Sequence, residues 1–147
     1  MRTSWPSNHN SLVIPPGIVG AFARGVGVQR FTDLRAWKAA DAFKKAVLRL
    51  CHEGPLSKDR KLREQLEDSA CGPPAHIAEG FGRFSPADFA RFGVIARSSV
   101  MEAQAHLRTA VDKGHIAEAL RVELDGLAEA ALGEITGLVS TCSHPKP

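Results

Sequence analysis

The stretch SACGPPAHIAEGFGRFSP, residues 69–86, decides how this chain folds. It begins in a helical pattern and then meets a Gly-Pro-Pro step at Gly72, where missing backbone donors predict a break and a kink. The helix is expected to resume briefly and to end at the Gly-Phe-Gly of residues 80–82. Ser85 followed by Pro86 is a strong start signal for another helix. The stretch therefore predicts two helices joined by a short turn.

Amphipathic patterns on both sides of this stretch predict four helices in all. The first begins at Thr32 or Asp33, either of which can cap it, with Phe31 as a hydrophobic staple, and it runs to about His52. No strand pattern occurs. We therefore predict an all-α fold, an antiparallel up-down-up-down four-helix bundle with a kinked second helix. The other helices are predicted to begin after Ser57, at Ser85 and near Ala117, with the last ending at Ser140.

Apolar residues at helical spacing predict which face of each helix is buried. Small residues on the third helix suggest a close approach to a neighbouring helix there. In chain order, the predicted inner positions are Leu34, Trp37, Ala40, Phe43, Val47 and Leu50; Leu62, Leu66, Ser69, Ala70 and Ile77; Phe89, Phe92, Ala96, Ser99, Ala103, Leu107 and Ala110; and Leu120, Leu124, Leu127, Ala131, Ile135 and Leu138.

One domain with two appendages is expected. Residues 1–30 are rich in Gly, Pro, Ser and Asn and are interpreted as a poorly ordered N-terminal extension. A second interpretation is that the natural product starts at Val26 or Val28. Residues 31–140 form the bundle and residues 141–147 a C-terminal tail. Three cysteines without a CxxC spacing, and no compact apolar segment near the start, favour a reduced, cytoplasmic protein with no signal peptide or membrane span.

Charge is distributed unevenly along a chain whose formal net charge is only +3. Residues 31–63 hold 9 basic and 4 acidic side chains, whereas residues 64–147 hold 7 basic and 12 acidic ones. The first helix carries a basic stripe opposite its apolar face, which is typical of phosphate contact by a nucleic-acid-binding protein. A solvated face diluted by acids such as Asp41 is the competing interpretation. The stripe consists of Arg35, Lys38, Lys45 and Arg49, and Lys58, Arg60, Lys61 and Arg63 extend it.

Two pairs of polar residues, one on the predicted second helix and one on the third, could together form a metal site. His76 and Glu79 lie three residues apart, and Glu102 and His106 lie four apart, so facing pairs would offer two histidines and two carboxylates. The paired Glu-x-x-His motif of di-iron bundles is absent, so ordinary polar residues are favoured and no metal is predicted. Glu79 is interpreted as a structural acid that bonds backbone amides or Arg83.

The Gly-rich residues 80–85 precede a helix N-terminus and include an arginine, an arrangement that favours anions. The favoured interpretation is a tight turn whose glycines adopt positive φ, because neither the lysine nor the strand of a Walker motif is present. No cysteine or serine is placed with a base that would make it a nucleophile. We therefore expect no enzyme and no cofactor.

Several short motifs along the chain together match a known family pattern. They are Phe31-x-Asp33-Leu34-x-x-Trp37-x-x-Ala40, Gln65-Leu66, Ile77-Ala78-Glu79-Gly80-x-Gly82-Arg83 (which follows His76), Ala96-Arg97-Ser98-Ser99, and Glu102. Through these motifs, the chain resembles the bacterial four-helix bundle family of 23S ribosomal RNA intervening-sequence proteins, over about residues 31–139. The family's usual Ser, Ile and Asn are replaced by Gly72, Pro73 and His76, so the double proline should sharpen the kink.

The resemblance implies a homo-oligomer, a pentamer of bundles arranged as a barrel. A more distant relative of the family is the accessory variability protein of diversity-generating retroelements, which is basic, binds nucleic acid and works with a reverse transcriptase. Our prediction is therefore a non-catalytic, oligomeric accessory protein that contacts RNA or DNA phosphates through the basic stripe, with no base code. The alternative is a protein–protein scaffold with an unknown partner.

Overall fold

The computed structural model describes residues 27–83 and 85–144, and in these residues the fold is entirely helical. No strand occurs among them, and helices dominate the chain, which confirms the predicted all-α class. Residues 1–26 of the predicted extension, Phe84 and residues 145–147 of the predicted tail lie outside the described residues. The elements are a 3-10 turn at Phe31–Asp33, α1 at Arg35–Cys51, a second 3-10 turn at Pro55–Lys58, α2 at Arg60–Phe81, α3 at Pro86–Asp112, and α4 at Glu118–Ser143.

The four helices pack in the order of the chain, and α4 also packs on α1, which closes the bundle. Polar contacts between α3 and α4 show the antiparallel direction. Arg97 Nε donates to Thr136 Oγ1 at 3.3 Å, and Gln104 Nε2 donates to Glu129 Oε1 at 3.0 Å. Residue numbers that increase along α3 are thus paired with residue numbers that decrease along α4, so the two helices run in opposite directions. The packing agrees with the predicted up-down-up-down bundle.

The start of α1 differs from the prediction. Thr32 and Asp33 lie in the 3-10 turn, and neither caps the helix. The N-cap residue is Leu34, which has no side-chain cap hydrogen bond and is itself buried. In the 3-10 turn the Asp33 amide donates to the Arg30 carbonyl oxygen and the Leu34 amide donates to that of Phe31, so the chain enters α1 without a polar side-chain cap. Phe31 does pack on Trp37, with ring centroids 5.5 Å apart.

The second predicted helix is unbroken. α2 continues through Pro73 and Pro74 to Phe81, so the Gly-Pro-Pro step does not interrupt it, and the bend at Gly72 stays a prediction. Both proline rings are buried, and this apolar packing offsets the missing backbone hydrogen bonds. The helix ends at Phe81 with Gly82 as its C-cap, within the Gly-Phe-Gly predicted to end it.

The predicted inner faces of α2 and α3 are largely confirmed, because every predicted α2 position is buried. On α3, Val100 is fully buried and Ser99 is only partly buried, so the core face is turned slightly from the prediction. On α1, Trp37 is likewise only partly buried.

The α4 prediction was wrong at two positions, since Leu120 and Leu127 remain 36% and 37% exposed. Ala128 and Leu132 are buried instead, because they continue the face of Leu124 at helical spacing. Leucine identity alone therefore pointed to the wrong side of the helix.

Candidate nucleic-acid interface

The outer side of α1 presents the four predicted cations. Its inner side is anchored by Phe43 and Val47, which are fully buried. Residues about half a turn away on an α-helix must then face outward. The structure places all four predicted side chains on this exposed side, and they are Arg35, Lys38, Lys45 and Arg49.

Intramolecular ion pairs divide these cations into two kinds. Arg35 Nε lies 3.3 Å from Glu134 Oε2 of α4, and Lys45 Nζ lies 2.9 Å from Asp41 Oδ2. Lys38 and Arg49 form no ion pair with any residue in the described part of the chain. Lys38 and Arg49 are therefore the members of the stripe whose charge is fully available to a partner.

Asp41 is the acid that weakens the stripe. Its carboxylate is nearly buried and receives Lys44 Nζ at 2.7 Å as well as Lys45. Burial alone would raise the pKa of Asp41, but hydrogen bonds from the two ammonium groups outweigh it and leave that pKa below its ordinary value. Asp41 is thus ionised near neutrality and cancels one of the two lysine charges.

The loop and the start of α2 extend the basic surface less than the sequence suggested. Arg60 Nε pairs with Glu64 Oε1 at 2.8 Å, and Arg63 donates to the Ser57 carbonyl oxygen at 2.8 Å. Arg63 therefore holds the loop in place. Among the residues the structure describes, the cations of this extension that have no acidic partner are Lys58 and Lys61.

The Phe31–Trp37 contact was predicted only as a packing device, yet it lies at the start of the basic stripe. The two rings meet edge to face at an interplanar angle of 69°. Phe31 remains 37% exposed, and Trp37 is only partly buried. Arg30 and Lys38 flank the pair in sequence. The signal available in the sequence was two aromatic residues, each next to a cation.

The family motif, residues 76–83, lies where α2 and α3 pack closely together, a contact called the α2–α3 joint. Ile77 is fully buried, and a Cβ added at Gly80 would lie 2.7 Å from Phe89 Cδ2 and 2.8 Å from Phe92 Cβ. Gly80 is therefore required by close helix approach. Positive φ is not involved, because Gly80 lies within α2 and Gly82 has a φ of −75°. The connection between α2 and α3 is short, as predicted, but the positive φ expected of its glycines was wrong.

The polar members of the motif pair with each other. Arg83 Nη2 donates to Glu79 Oε1 at 3.0 Å, and the same guanidinium lies 4.9 Å from the Phe92 ring centroid. Arg91 also lies over that ring, at 5.9 Å. This supports the structural interpretation of Glu79. Whether the motif residues His76, Ile77, Ala78, Glu79, Gly80, Gly82 and Arg83 have any further role stays a prediction.

The histidines do not assemble a recognisable metal centre in the described residues. His76 Nε2 is turned toward Gly72, lying 3.4 Å from where a Cβ on that glycine would be. On α3, His106 Nε2 lies 3.5 Å from Glu102 Oε1 and has no hydrogen-bond partner among the described atoms. No group of three His, Cys, Asp or Glu side chains there is placed to hold a metal ion.

The three cysteines remain free thiols. Burial is the main cause that raises the pKa of Cys51 to about 12 and that of Cys142 to about 11. Burial also raises the pKa of Cys71, which lies on the surface of α2. Because the thiolate is the nucleophilic form, these environments disfavour cysteine chemistry at neutral pH.

One polar cluster that sequence reasoning missed lies at the end of the bundle opposite the motif. Asp59 caps α2 by accepting from the Leu62 amide at 3.2 Å, and its other oxygen lies 2.8 Å from Lys113 Nζ and 2.9 Å from His115 Nε2. The contact ties α2 to the α3–α4 turn across more than fifty residues of chain. No local spacing signals a pairing of that length.

A second such cluster surrounds Arg121 at the start of α4. Its guanidinium is almost completely covered and donates to Glu118 and Asp125 on the same helix. Asp125 is approached at 3.5 Å by Arg108 of α3. Arg121 therefore lies on the buried side of α4 with Leu124 and Ala128, and Asp125 connects its ion pairs to α3.

None of the helices in the described residues has the length and apolar character needed to cross a membrane. No curated protein sequence matches the chain. A family model described as 23S rRNA-intervening sequence protein matches residues 32–137, which cover all of α1, α2 and α3 and most of α4. The match spans well over half of the chain, and it includes the motif and the basic stripe. The chain therefore belongs to the 23S rRNA-intervening sequence protein family.

Proposed function

We propose that this protein is a non-catalytic accessory protein that binds RNA or DNA through the outer face of α1. The observation that carries the proposal is the exposed pair Lys38 and Arg49, whose charges have no acidic partner in the described residues. Lys58 and Lys61 lie beyond them and are likewise unpaired within that part of the chain. Binding would rest on phosphate contacts and the release of counterions, without readout of base sequence.

The electrostatics of α1 support this proposal. The helix holds five cations and one carboxylate, and that carboxylate is turned inward against two lysines. Surface ion pairs such as Arg35–Glu134 are worth little and exchange readily with solvent. A phosphate that approaches α1 can therefore recruit Arg35 and Lys45 after first meeting Lys38 and Arg49.

The experiment measures binding of labelled RNA and DNA to the purified protein across a salt series. The variant carries Lys38→Glu and Arg49→Glu, and a charge-matched control carries Arg91→Glu and Arg97→Glu on α3. We expect affinity to fall with salt, and the variant's salt slope to shrink by about two. The control should bind like the unmodified protein. Equal losses in both variants, or no binding at low salt, would remove the proposal.

We propose as a second candidate that the protein assembles with copies of itself, which fits the pentamer implied by the resemblance, or acts as a protein–protein scaffold. The outer face of α4 favours it. Gly126, Gly133 and Gly137 share this face, and a Cβ at any of them would meet no described atom within 4 Å. Glycine inside a helix costs about 1 kcal/mol relative to alanine, and no contact among the described residues requires it there.

Light scattering tests the assembly directly. A partner helix can approach closely only where side chains are small, so Gly133→Leu should lower the mass in solution. Leu127→Ala removes an exposed apolar side chain while keeping the glycines, and we expect a smaller change. A protein that is monomeric before any substitution would exclude self-assembly and leave a scaffold for other partners.

A further inference from the structure

Only the inward side of the Phe31–Trp37 pair is used for packing within the bundle. Trp37 packs against the core and meets the Phe31 ring at an interplanar angle of 69°, while Phe31 remains 37% exposed, so part of the pair's surface is accessible to solvent. Phe31 is more exposed than any other phenylalanine among the described residues. A partly exposed aromatic pair beside the first turn of a basic helix is a suitable platform for a flat ligand group.

The charges around the pair are predominantly positive. Arg30 and Lys38 are exposed and form no ion pair with any residue between 27 and 144 that the structure describes. Arg35 is engaged with Glu134 on the α4 side. Asp33 is exposed in the 3-10 turn and repels phosphate on its own side. Phosphates next to the rings are therefore directed toward Lys38.

We propose that the Phe31–Trp37 pair stacks an unpaired base, which makes the ligand of this surface a single-stranded nucleic acid. The inference rests on the proposed nucleic-acid binding and specifies its ligand. Proteins that bind single strands combine a basic surface with aromatic rings on which bases stack, and stacking tolerates any sequence because every base has a π-face. A duplex keeps its bases stacked inside and offers only phosphates.

The tryptophan content of the chain allows a direct test. Trp5 and Trp37 are its two tryptophans, so Trp5→Phe leaves Trp37 as the sole indole reporter. This variant is titrated at low salt with a short oligothymidylate, an oligouridylate and a duplex of equal length, while Trp37 fluorescence and affinity are recorded. Phe31→Leu keeps an apolar side chain but removes its ring, and Leu127→Ala on α4 is the matched control.

We expect both single strands to quench Trp37 and to bind more tightly than the duplex. Phe31→Leu should weaken single-strand binding about five- to hundredfold, the range of one lost stacking contact, and leave duplex binding unchanged. Thermal melting of the variant checks that it is folded. A preference for one single strand distinguishes RNA from DNA as the ligand.

The titration distinguishes a failure of base stacking from a failure of nucleic-acid binding as a whole. Equal affinity for single strands and duplex, with Trp37 emission unchanged, overturns base stacking while the basic surface remains a nucleic-acid interface. Absence of any binding at low salt overturns both the stacking and the proposed function. Loss of duplex and single-strand binding alike in Phe31→Leu also overturns stacking, because the ring would then serve only to shape the start of α1.

Discussion

Glycines on two surfaces of this bundle are in opposite situations. At the α2–α3 joint, a Cβ on Gly80 would lie 2.7 Å from one phenylalanine and 2.8 Å from another. On the outer face of α4, Gly133 has no described atom within 4 Å of its Cβ position. The same residue type is required by packing at the first surface and unexplained by packing at the second. Packing inside one copy therefore explains Gly80, whereas Gly133 lies on a surface that a partner could cover.

Gly80→Ala should have the largest effect of the substitutions that test this comparison. One of the two clashes is with Phe92 Cβ, which cannot move without the α3 backbone. Overpacking of this kind costs about 1–3 kcal/mol in free energy of unfolding, measurable by urea denaturation. Gly82→Ala is the matched control, since its nearest atom, at 3.4 Å, is close to ordinary contact distance. Equal stability of the two variants would contradict the close approach.

The cap of α3 belongs to the same joint and should have the next largest effect. Ser85 Oγ accepts from the Asp88 amide at 3.3 Å, as the sequence predicted. Ser85→Ala removes this acceptor and should cost about 1 kcal/mol, whereas Ser85→Asp should retain most of the stability. Chemical denaturation of both variants checks this. A loss as large in Ser85→Asp would point to a packing role for the serine.

On the open surface, Gly133→Ala should act in the opposite direction to Gly80→Ala. In a single copy it improves helix propensity and should raise the free energy of unfolding by about 0.5–1 kcal/mol. If copies pack closely on this face, the added methyl group opposes assembly, so the gain should shrink as protein concentration rises. Melting at two concentrations measures this. A gain that is equal at both would contradict assembly through α4.

Local sequence signals predicted some features of this fold and not others. Helix number, order and the Ser85 cap followed from period and local signals, because these depend on neighbours a few residues away. The break at Gly72 did not occur, since burial of Pro73 and Pro74 depends on the other helices. The burial of Arg121 on α4 was likewise not predictable locally, since its cluster continues through Asp125 to Arg108 of α3.

The candidate interface was predictable as a set of cations but not as a pattern of available charge. Helical spacing placed Arg35, Lys38 and Arg49 on one side of α1. Which of them meets an acid depended on Glu134, almost a hundred residues later, and no local rule gives that distance of 3.3 Å. The aromatic pair was visible in sequence, but its exposure was not.

The smallest predicted effect concerns Asp59, which connects the start of α2 to the α3–α4 turn at the opposite end of the bundle. Hydrogen bonds from Lys113, then from His115 and from the Leu62 amide, hold the pKa of Asp59 well below its ordinary value. A depressed carboxyl pKa stabilises the folded state above the unfolded value of about 3.9, and that stabilisation is lost as the pH falls through the folded value. The free energy of unfolding should therefore decline as the pH falls below about 4.

Asp59→Asn should lower stability at neutral pH and flatten this acid dependence, because the charge that Lys113 and His115 contact is gone. Glu64→Gln is the matched control, since Glu64 pairs with Arg60 at an exposed position on α2 and makes no contact with the α3–α4 turn in the described residues. Urea denaturation between acid and neutral pH compares the two variants. If both curves run parallel to that of the unmodified protein, Asp59 is only a helix cap.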